Sequence, residues 1–330
     1  MRLLTGDVGG TKTLLCIAES DAGAVRIVRQ QRFECADYQN FSEMLRAFLA
    51  TERVKNFAGA CFGIAGPVRD NATGQYVKVT NLPWEIDGSA LAHEFGLDRL
   101  RLINDFAAIG YGIEGLRDSD IVMLQAGEPV THGPRAVIGA GTGLGQAILV
   151  WRRDYYEVIA TEGSKADFGP TDEIQLELAR HLMQQHGRAS YELILSGTGL
   201  VRIYEFLGKC GDFSESPAVA EAILQGDPAA EITRAALDLN DPLANAALEL
   251  FVTIYGAQAG NLALAAGATG GLYVAGGIAP KIISRLTNGT FVRAFTNKGK
   301  MSAYMGAMSV QVVTNPNLGL LGAISVAARL

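Results

Sequence analysis

Residues Gly6 to Thr13 read Gly-Asp-Val-Gly-Gly-Thr-Lys-Thr, directly behind the apolar pair Leu3-Leu4 and ahead of the apolar run Leu14-Leu15-Cys16-Ile17-Ala18. Two strand-like segments this close together require a hairpin. Adjacent glycines let the turn between them aim backbone N–H groups at an anion. Two better-known glycine loops do not fit. A P-loop needs Gly directly before Lys-Ser/Thr, whereas Thr11 stands before Lys12, and a dinucleotide fingerprint opens a helix rather than a second strand. Asp7 is placed to hold a hydrated Mg2+ while Gly9 and Gly10 admit phosphate to the backbone. On these residues alone an ordinary Gly-Gly hairpin turn remains an equal reading.

A second glycine cluster repeats the pattern. Ala136-Val137-Ile138 leads into Gly139-Ala140-Gly141-Thr142-Gly143-Leu144-Gly145, and Ala147 to Val150 leads out as another strand. Thr142 offers a hydroxyl, and its flanking glycines remove side chains that would block a phosphate oxygen. A third cluster, Gly276-Gly277, follows Gly271-Leu272-Tyr273-Val274-Ala275 and precedes Ile278-Ala279-Pro280, giving strand, Gly-Gly, helix. Glycine turns spread along the chain, each at a strand end, point to two lobes closing on one nucleotide.

In this order the segments resemble the phosphate-1, phosphate-2 and adenosine motifs of the actin, hexokinase and Hsp70 superfamily. Within it the chain is similar to the bacterial glucokinases. The matching segments are Gly6 to Thr11, Thr80-Asn81-Leu82-Pro83-Trp84, Ile103-Asn104-Asp105-Phe106, Gly139 to Gly145, Glu162-Gly163, Asp167-Phe168, Leu195-Ser196-Gly197, Ala275 to Pro280 and Asn315 to Gly322. The resemblance implies an α/β chain with the two-lobed ribonuclease H-like (actin-like ATPase) fold and an active-site cleft between the lobes. The small domain is expected over 1–107 plus 318–330 and the large one over 108–317.

The same resemblance implies ATP-dependent phosphorylation of D-glucose to glucose 6-phosphate, with ATP and Mg2+ as cofactors. Nucleotide contacts are expected from Gly6, Asp7, Val8, Gly9, Gly10 and Thr11, from Gly141, Thr142 and Gly143, and from Gly276 and Gly277. Asp7 would bind Mg2+ through water. Asp105 would be the general base that takes the proton of the sugar 6-hydroxyl, with Asn104 holding the sugar in line. From the sequence alone Asp105 reads equally well as an N-cap, since the strand Leu100 to Ile103 delivers it to a helix start at Phe106. Glu162 and Glu192 match positions that accept hydrogen bonds from sugar hydroxyls, a task suited to charged acceptors. Without the family frame Glu192 reads as an exposed helix residue. The family pattern Glu-Gly-Gly-His is here Glu162-Gly163-Ser164-Lys165. Lys165 either substitutes as a donor to the sugar or alters hexose selectivity through a pair with Glu162 or Asp167.

The rival readings are a kinase for mannose or fructose and a non-catalytic sugar or nucleotide sensor on the same fold. Asp105 and the glycine turns argue against the sensor. With 330 residues the chain exceeds the size at which one core stops growing, so two domains are expected. A net charge of −6 supplies no basic face for nucleic acid. No apolar run reaches the roughly 20 residues a membrane helix needs. Leu243 to Ala268 comes nearest, but it carries Asn245, Glu249, Gln258 and Asn261 and reads as a long buried helix. The first strand begins too early for a signal segment, so a cytoplasmic protein is expected, with glucose and a second copy of the chain as partners. Cys16, Cys35, Cys61 and Cys210 form no Cys-x-x-Cys pair and read as buried free thiols. Gly110 to Gly115 matches G-x-G-x-x-G but lies in a helical stretch, and the four histidines show no catalytic spacing.

Overall fold

The computed structural model describes residues 1–21, 24–52, 56–72, 74–211 and 213–330. It is a mixed α/β protein whose chain divides into two compact units. The first comprises Met1–Asp118, Tyr156–Ala160 and Asn315–Leu330, and the second Ser119–Tyr155 and Thr161–Thr314.

The first unit is built on strands β1 (Arg2–Val8), β2 (Lys12–Asp21), β3 (Ala24–Glu34), β4 (Gly59–Ile64), β5 (Val68–Asn71), β6 (Gly74–Lys78), β7 (Glu85–Asp87) and β8 (Leu100–Asn104). Its main sheet runs β3-β2-β1-β4-β8. The first three strands are antiparallel, and β4 and β8 lie parallel to β1. Side chains along a strand alternate between faces, and the core keeps that period. Leu4, Leu15, Ile17, Ala60 and Phe62 join one apolar cluster, while Leu3, Cys16, Ala18 and Cys61 join another. Both faces are covered, so all of β4 is buried.

Helix α1 (Phe41–Leu49) closes the first face. Asn40 caps it by accepting from the Glu43 N–H, and Phe41, Met44, Leu45, Phe48 and Leu49 form the buried stripe that their spacing predicts. Helix α2 (Gly88–Phe95) starts from the Asp87 cap and adds Leu91 to the same core. Helix α3 (Asp105–Gly112) and the C-terminal helix Leu318–Ala327 cover the second face. They pack backbone to backbone. A Cβ on Gly322 would lie 1.8 Å from the Ala108 carbonyl oxygen, and one on Gly112 would lie 2.3 Å from that of Leu318.

The second unit carries β9 (Ile121–Gln125), β10 (Arg135–Ala140), β11 (Leu144–Arg152), β13 (Leu272–Ala275) and β14 (Val310–Val313); β12 is Tyr155–Thr161, of which Tyr156–Ala160 is counted with the first unit. Strands β11-β10-β13-β14-β9 run side by side. As in the first unit, an antiparallel hairpin is joined by two parallel strands. That repeats internally the strand-glycine-strand echo read from the sequence. Between β12 and β13 come helices α4 (Glu173–His186), α5 (Tyr191–Ile194), α6 (Gly197–Cys210), α7 (Pro217–Gln225), α8 (Pro228–Leu237) and α9 (Pro242–Ala266). Helix α9 begins with Pro after the Asp241 cap and is buried around its circumference. Among the described residues no helix is long and apolar enough to cross a membrane. Cys16, Cys35 and Cys61 are buried, but Cys210 is exposed at the last position of α6, which corrects the expectation for that thiol.

Candidate active site

In the first unit, the β1–β2 hairpin places Gly9 to Thr11 at its tip, as the two apolar runs require. The turn is closed from within. Gly9 N–H donates to the Lys12 carbonyl at 3.0 Å, so this amide does not face outward as the sequence leads one to expect. The Thr11 carbonyl accepts from Cys35 N–H at 2.8 Å and the Val8 carbonyl from Ala65 N–H at 2.9 Å, which tie the turn to neighbouring segments. Gly10 presses on the loop after β6. A Cβ there would meet the Thr80 carbonyl oxygen at 3.0 Å, so any larger residue would push the loop and the turn apart by a few tenths of an ångström.

Strand β8 delivers Asn104 and Asp105 to the start of α3. The cap is Asn104, not Asp105: its Oδ1 accepts from the N–H groups of Phe106 (2.9 Å) and Ala107 (3.2 Å). Asn104 Nδ2 donates to the Gly66 carbonyl at 3.1 Å and to Asp105 Oδ1 at 2.9 Å. Asp105 Oδ1 also accepts from Phe106 N–H at 2.9 Å. Asp105 is therefore the first residue of the helix, with its carboxylate steered by the residue before it.

Asp7 sits near this carboxylate. Burial pushes the Asp7 carboxyl up to about 6, and the charge of Asp105 pushes the same way. The C-terminal helix approaches it closely, since a Cβ on Gly319 would lie 3.0 Å from Asp7 Oδ2. Two carboxylates in one partly desolvated region are a donor set that a divalent cation would relieve, so Asp7 fits the Mg2+ role. Among the described residues no group of three or more His, Cys, Asp or Glu side chains is arranged to hold a metal.

In the second unit, the turn between β10 and β11 carries Gly141, Thr142 and Gly143. Gly141 N–H donates to the Gly143 carbonyl at 2.8 Å, and the Gly141 carbonyl accepts from Gly197 N–H at 2.9 Å. Thr142 is exposed, and a Cβ on Gly141 would meet open space. The turn is braced from below by Tyr255, whose hydroxyl accepts from Ala140 N–H at 3.1 Å; its burial raises the phenol's pKa. The third glycine pair comes to the same place. Gly276 has φ +83°, and a Cβ on it would lie 2.5 Å from the Ala140 carbonyl oxygen, a contact no side chain permits. Beyond Gly277 the chain forms a 3-10 turn, Ala279–Ile282, before the short helix Ile283–Leu286, rather than a helix from the start.

Glu162 is exposed at the end of β12 and leads into the 3-10 turn Gly163–Lys165. Glu192, second in α5, is not the exposed residue its sequence neighbourhood suggests. Its carboxylate pairs with the Lys165 ammonium through Oε1, and Oε2 accepts from Leu144 N–H at 3.5 Å. Lys165 thus pairs with neither Glu162 nor Asp167. Asp167 is taken by Arg188, which also donates to the Lys165 carbonyl at 3.0 Å. Three residues to which the sequence assigns no role support the site: Tyr255 beneath Ala140, Gly319 against Asp7, and Gln146, whose Oε1 leaves no room for a Cβ on Gly163. Of these, only Gly319 falls in a matched segment, Asn315 to Gly322.

Proteins of known sequence and structure match the chain along its whole length. A family model described as Glucokinase matches residues 4–330. The chain is 42% identical to a glucokinase from Nostoc punctiforme over 99% of both chains. A solved glucokinase from an Antarctic psychrotroph is 31% identical, superposes with a TM-score of 0.86, and is matched over 100% of this chain and 99% of its own. A ROK family glucokinase from Streptomyces griseus, solved with glucose and AMPPNP, shares the fold at 19% identity and a TM-score of 0.66 over the full length of both chains.

Proposed function

The chain belongs to the glucokinase family, and from that premise we propose that it transfers the γ-phosphoryl group of ATP to the 6-hydroxyl of D-glucose. The observation that carries the assignment of roles is the Asn104–Asp105 pair at the start of α3, a carboxylate held in a fixed orientation next to a second acidic residue.

Asp105 accepts the proton as the hydroxyl attacks, and Asn104 holds that carboxylate in place through Nδ2. A direct contact of Asn104 with the sugar exchanges its bond to the Gly66 carbonyl. Glu162 and Glu192 accept hydrogen bonds from the other hydroxyls, and Lys165 accompanies Glu192. On the donor side, Gly6 to Thr11 and the Gly141-Thr142-Gly143 turn bind phosphate, while Gly276 and Gly277 border the adenosine. Asp7 would hold Mg2+ through water, and the metal would neutralise charge on the donor phosphates. The protein's contribution is mostly positioning and electrostatics.

A coupled assay with Mg-ATP and glucose, mannose and fructose, run beside Asp105→Ala, tests the proposal. Turnover of glucose that disappears in the variant is the expected result. Preference for mannose or fructose would overturn the substrate, and turnover surviving in Asp105→Ala would overturn the base.

A further inference from the structure

We propose that Lys165 is a positioning residue: its ammonium sets the Glu192 carboxylate against the second glycine turn, so that hexose affinity depends on this one ion pair. The inference rests on the reading of Glu192 as a hexose-binding carboxylate.

Both partners are fixed from behind. Lys165 donates its N–H to the Glu162 carbonyl at 2.9 Å, and its own carbonyl accepts from Arg188 at 3.0 Å. Tyr191 N–H donates to the Ala166 carbonyl at 3.1 Å, and the Glu192 carbonyl accepts from Ser196 Oγ at 2.9 Å. With both backbones held, the ion pair chooses the side-chain conformation of Glu192. Its second oxygen then faces the turn, near Leu144 N–H and over Gly143, where a Cβ would stand 3.1 Å from it. An alanine at 143 would have to displace this carboxylate. The charged groups around Lys165 are Glu162, Asp167, Arg188 and Glu192, and Asp167 is already paired with Arg188. Glu192 is the carboxylate that the Lys165 ammonium reaches.

The side chains of Lys165 and Glu192 keep 57% and 30% of their exposure, so the pair adds little to folding stability and its effect appears in ligand binding. Lysine also differs from histidine in a way that can be measured. An imidazole loses its proton within the pH range of an assay, whereas a lysine ammonium ordinarily does not.

The experiment measures kcat and the KM for glucose at saturating Mg-ATP for the wild type, Lys165→Met, Lys165→Arg and Lys165→His, from about pH 5.5 to about pH 8.5. Lys165→Met is expected to raise KM about tenfold, the loss of one charged hydrogen bond's worth of alignment, with its melting temperature close to wild type. Lys165→Arg, which keeps the charge, should stay within about threefold. In Lys165→His the imidazolium holds Glu192 at low pH and releases it on deprotonation, so KM should rise through about pH 6.5 while the wild-type profile stays flat. A wild-type KM in Lys165→Met, or a flat KM profile in Lys165→His, overturns the proposal and leaves the hexose assignment standing. A wild-type protein that neither binds glucose by calorimetry nor turns it over removes the hexose assignment and this inference with it.

Discussion

The first two glycine turns sit at equivalent points of two similar sheets, yet their charges are handled in opposite ways. Beside the first, Asp7 and Asp105 are both acidic, and burial together with the charge of Asp105 disfavours ionisation of Asp7. Beside the second, a carboxylate that reaches the turn, Glu192, is neutralised by Lys165. A region that compensates its own charge can bind a neutral sugar without further help. A region that sets like charges side by side is prepared for a cation, and keeps the cost of that repulsion until one arrives. On the proposed function, this difference would give metal and proton chemistry to the first turn and hydroxyl recognition to the second.

Breaking the first half of this contrast should have the largest effect. Asp7→Ala removes the carboxylate proposed for the metal, and a loss of about 10²–10³ in kcat is expected, read in the coupled assay at saturating substrates. Recovery of normal kcat at high Mg2+ would show that Asp7 only tunes metal affinity. On the second side, Glu192→Gln keeps the shape but loses the charge, and the KM for glucose should rise about tenfold with a smaller change in kcat. An equal fall in kcat would mean that the carboxylate also serves the transition state.

A smaller effect appears in stability. The Asp7 carboxyl is raised in the folded chain from 3.8 to about 6, so between those values the folded state binds more protons than the unfolded one. Its contribution therefore destabilises the protein progressively as pH rises from about 4 to about 6, and the full penalty is present above that. Asp7→Asn should then stabilise the ligand-free protein by about 2 kcal/mol at neutral pH, after allowance for partial exposure, and by nothing near pH 3. Denaturation curves at the two pH values check the sign. Stabilisation that is the same at both would point to packing rather than charge.

The local features were legible from the sequence because they depend on short spacings. The hairpin around Gly9-Gly10 follows from two apolar runs separated by a turn, and the five-residue stripe of α1 follows from helical periodicity. The resemblance carried the rest of the fold and named Asp105. What escaped was set by residues far apart in the chain. The Tyr255 hydroxyl under Ala140, Gly319 against Asp7 and the reach of Lys165 to Glu192 are consequences of topology, which no local spacing encodes. The cap at α3 was missed for a different reason. Asn104 and Asp105 are both good capping residues, and only the backbone shows that the first of them takes the extended conformation a cap requires.

The claim that Asp7 and Asp105 form one like-charged acidic site is tested most directly by following the Asp7 carboxyl carbon by NMR through a pH titration. The wild type and Asp105→Asn would be compared, each with and without Mg2+ and a non-hydrolysable ATP analogue. The account predicts a midpoint near 6 in the free wild type, a lower one in Asp105→Asn, and a lower one again when metal and nucleotide bind. A midpoint in the ordinary aspartate range, indifferent to Asp105 and to metal, would contradict it.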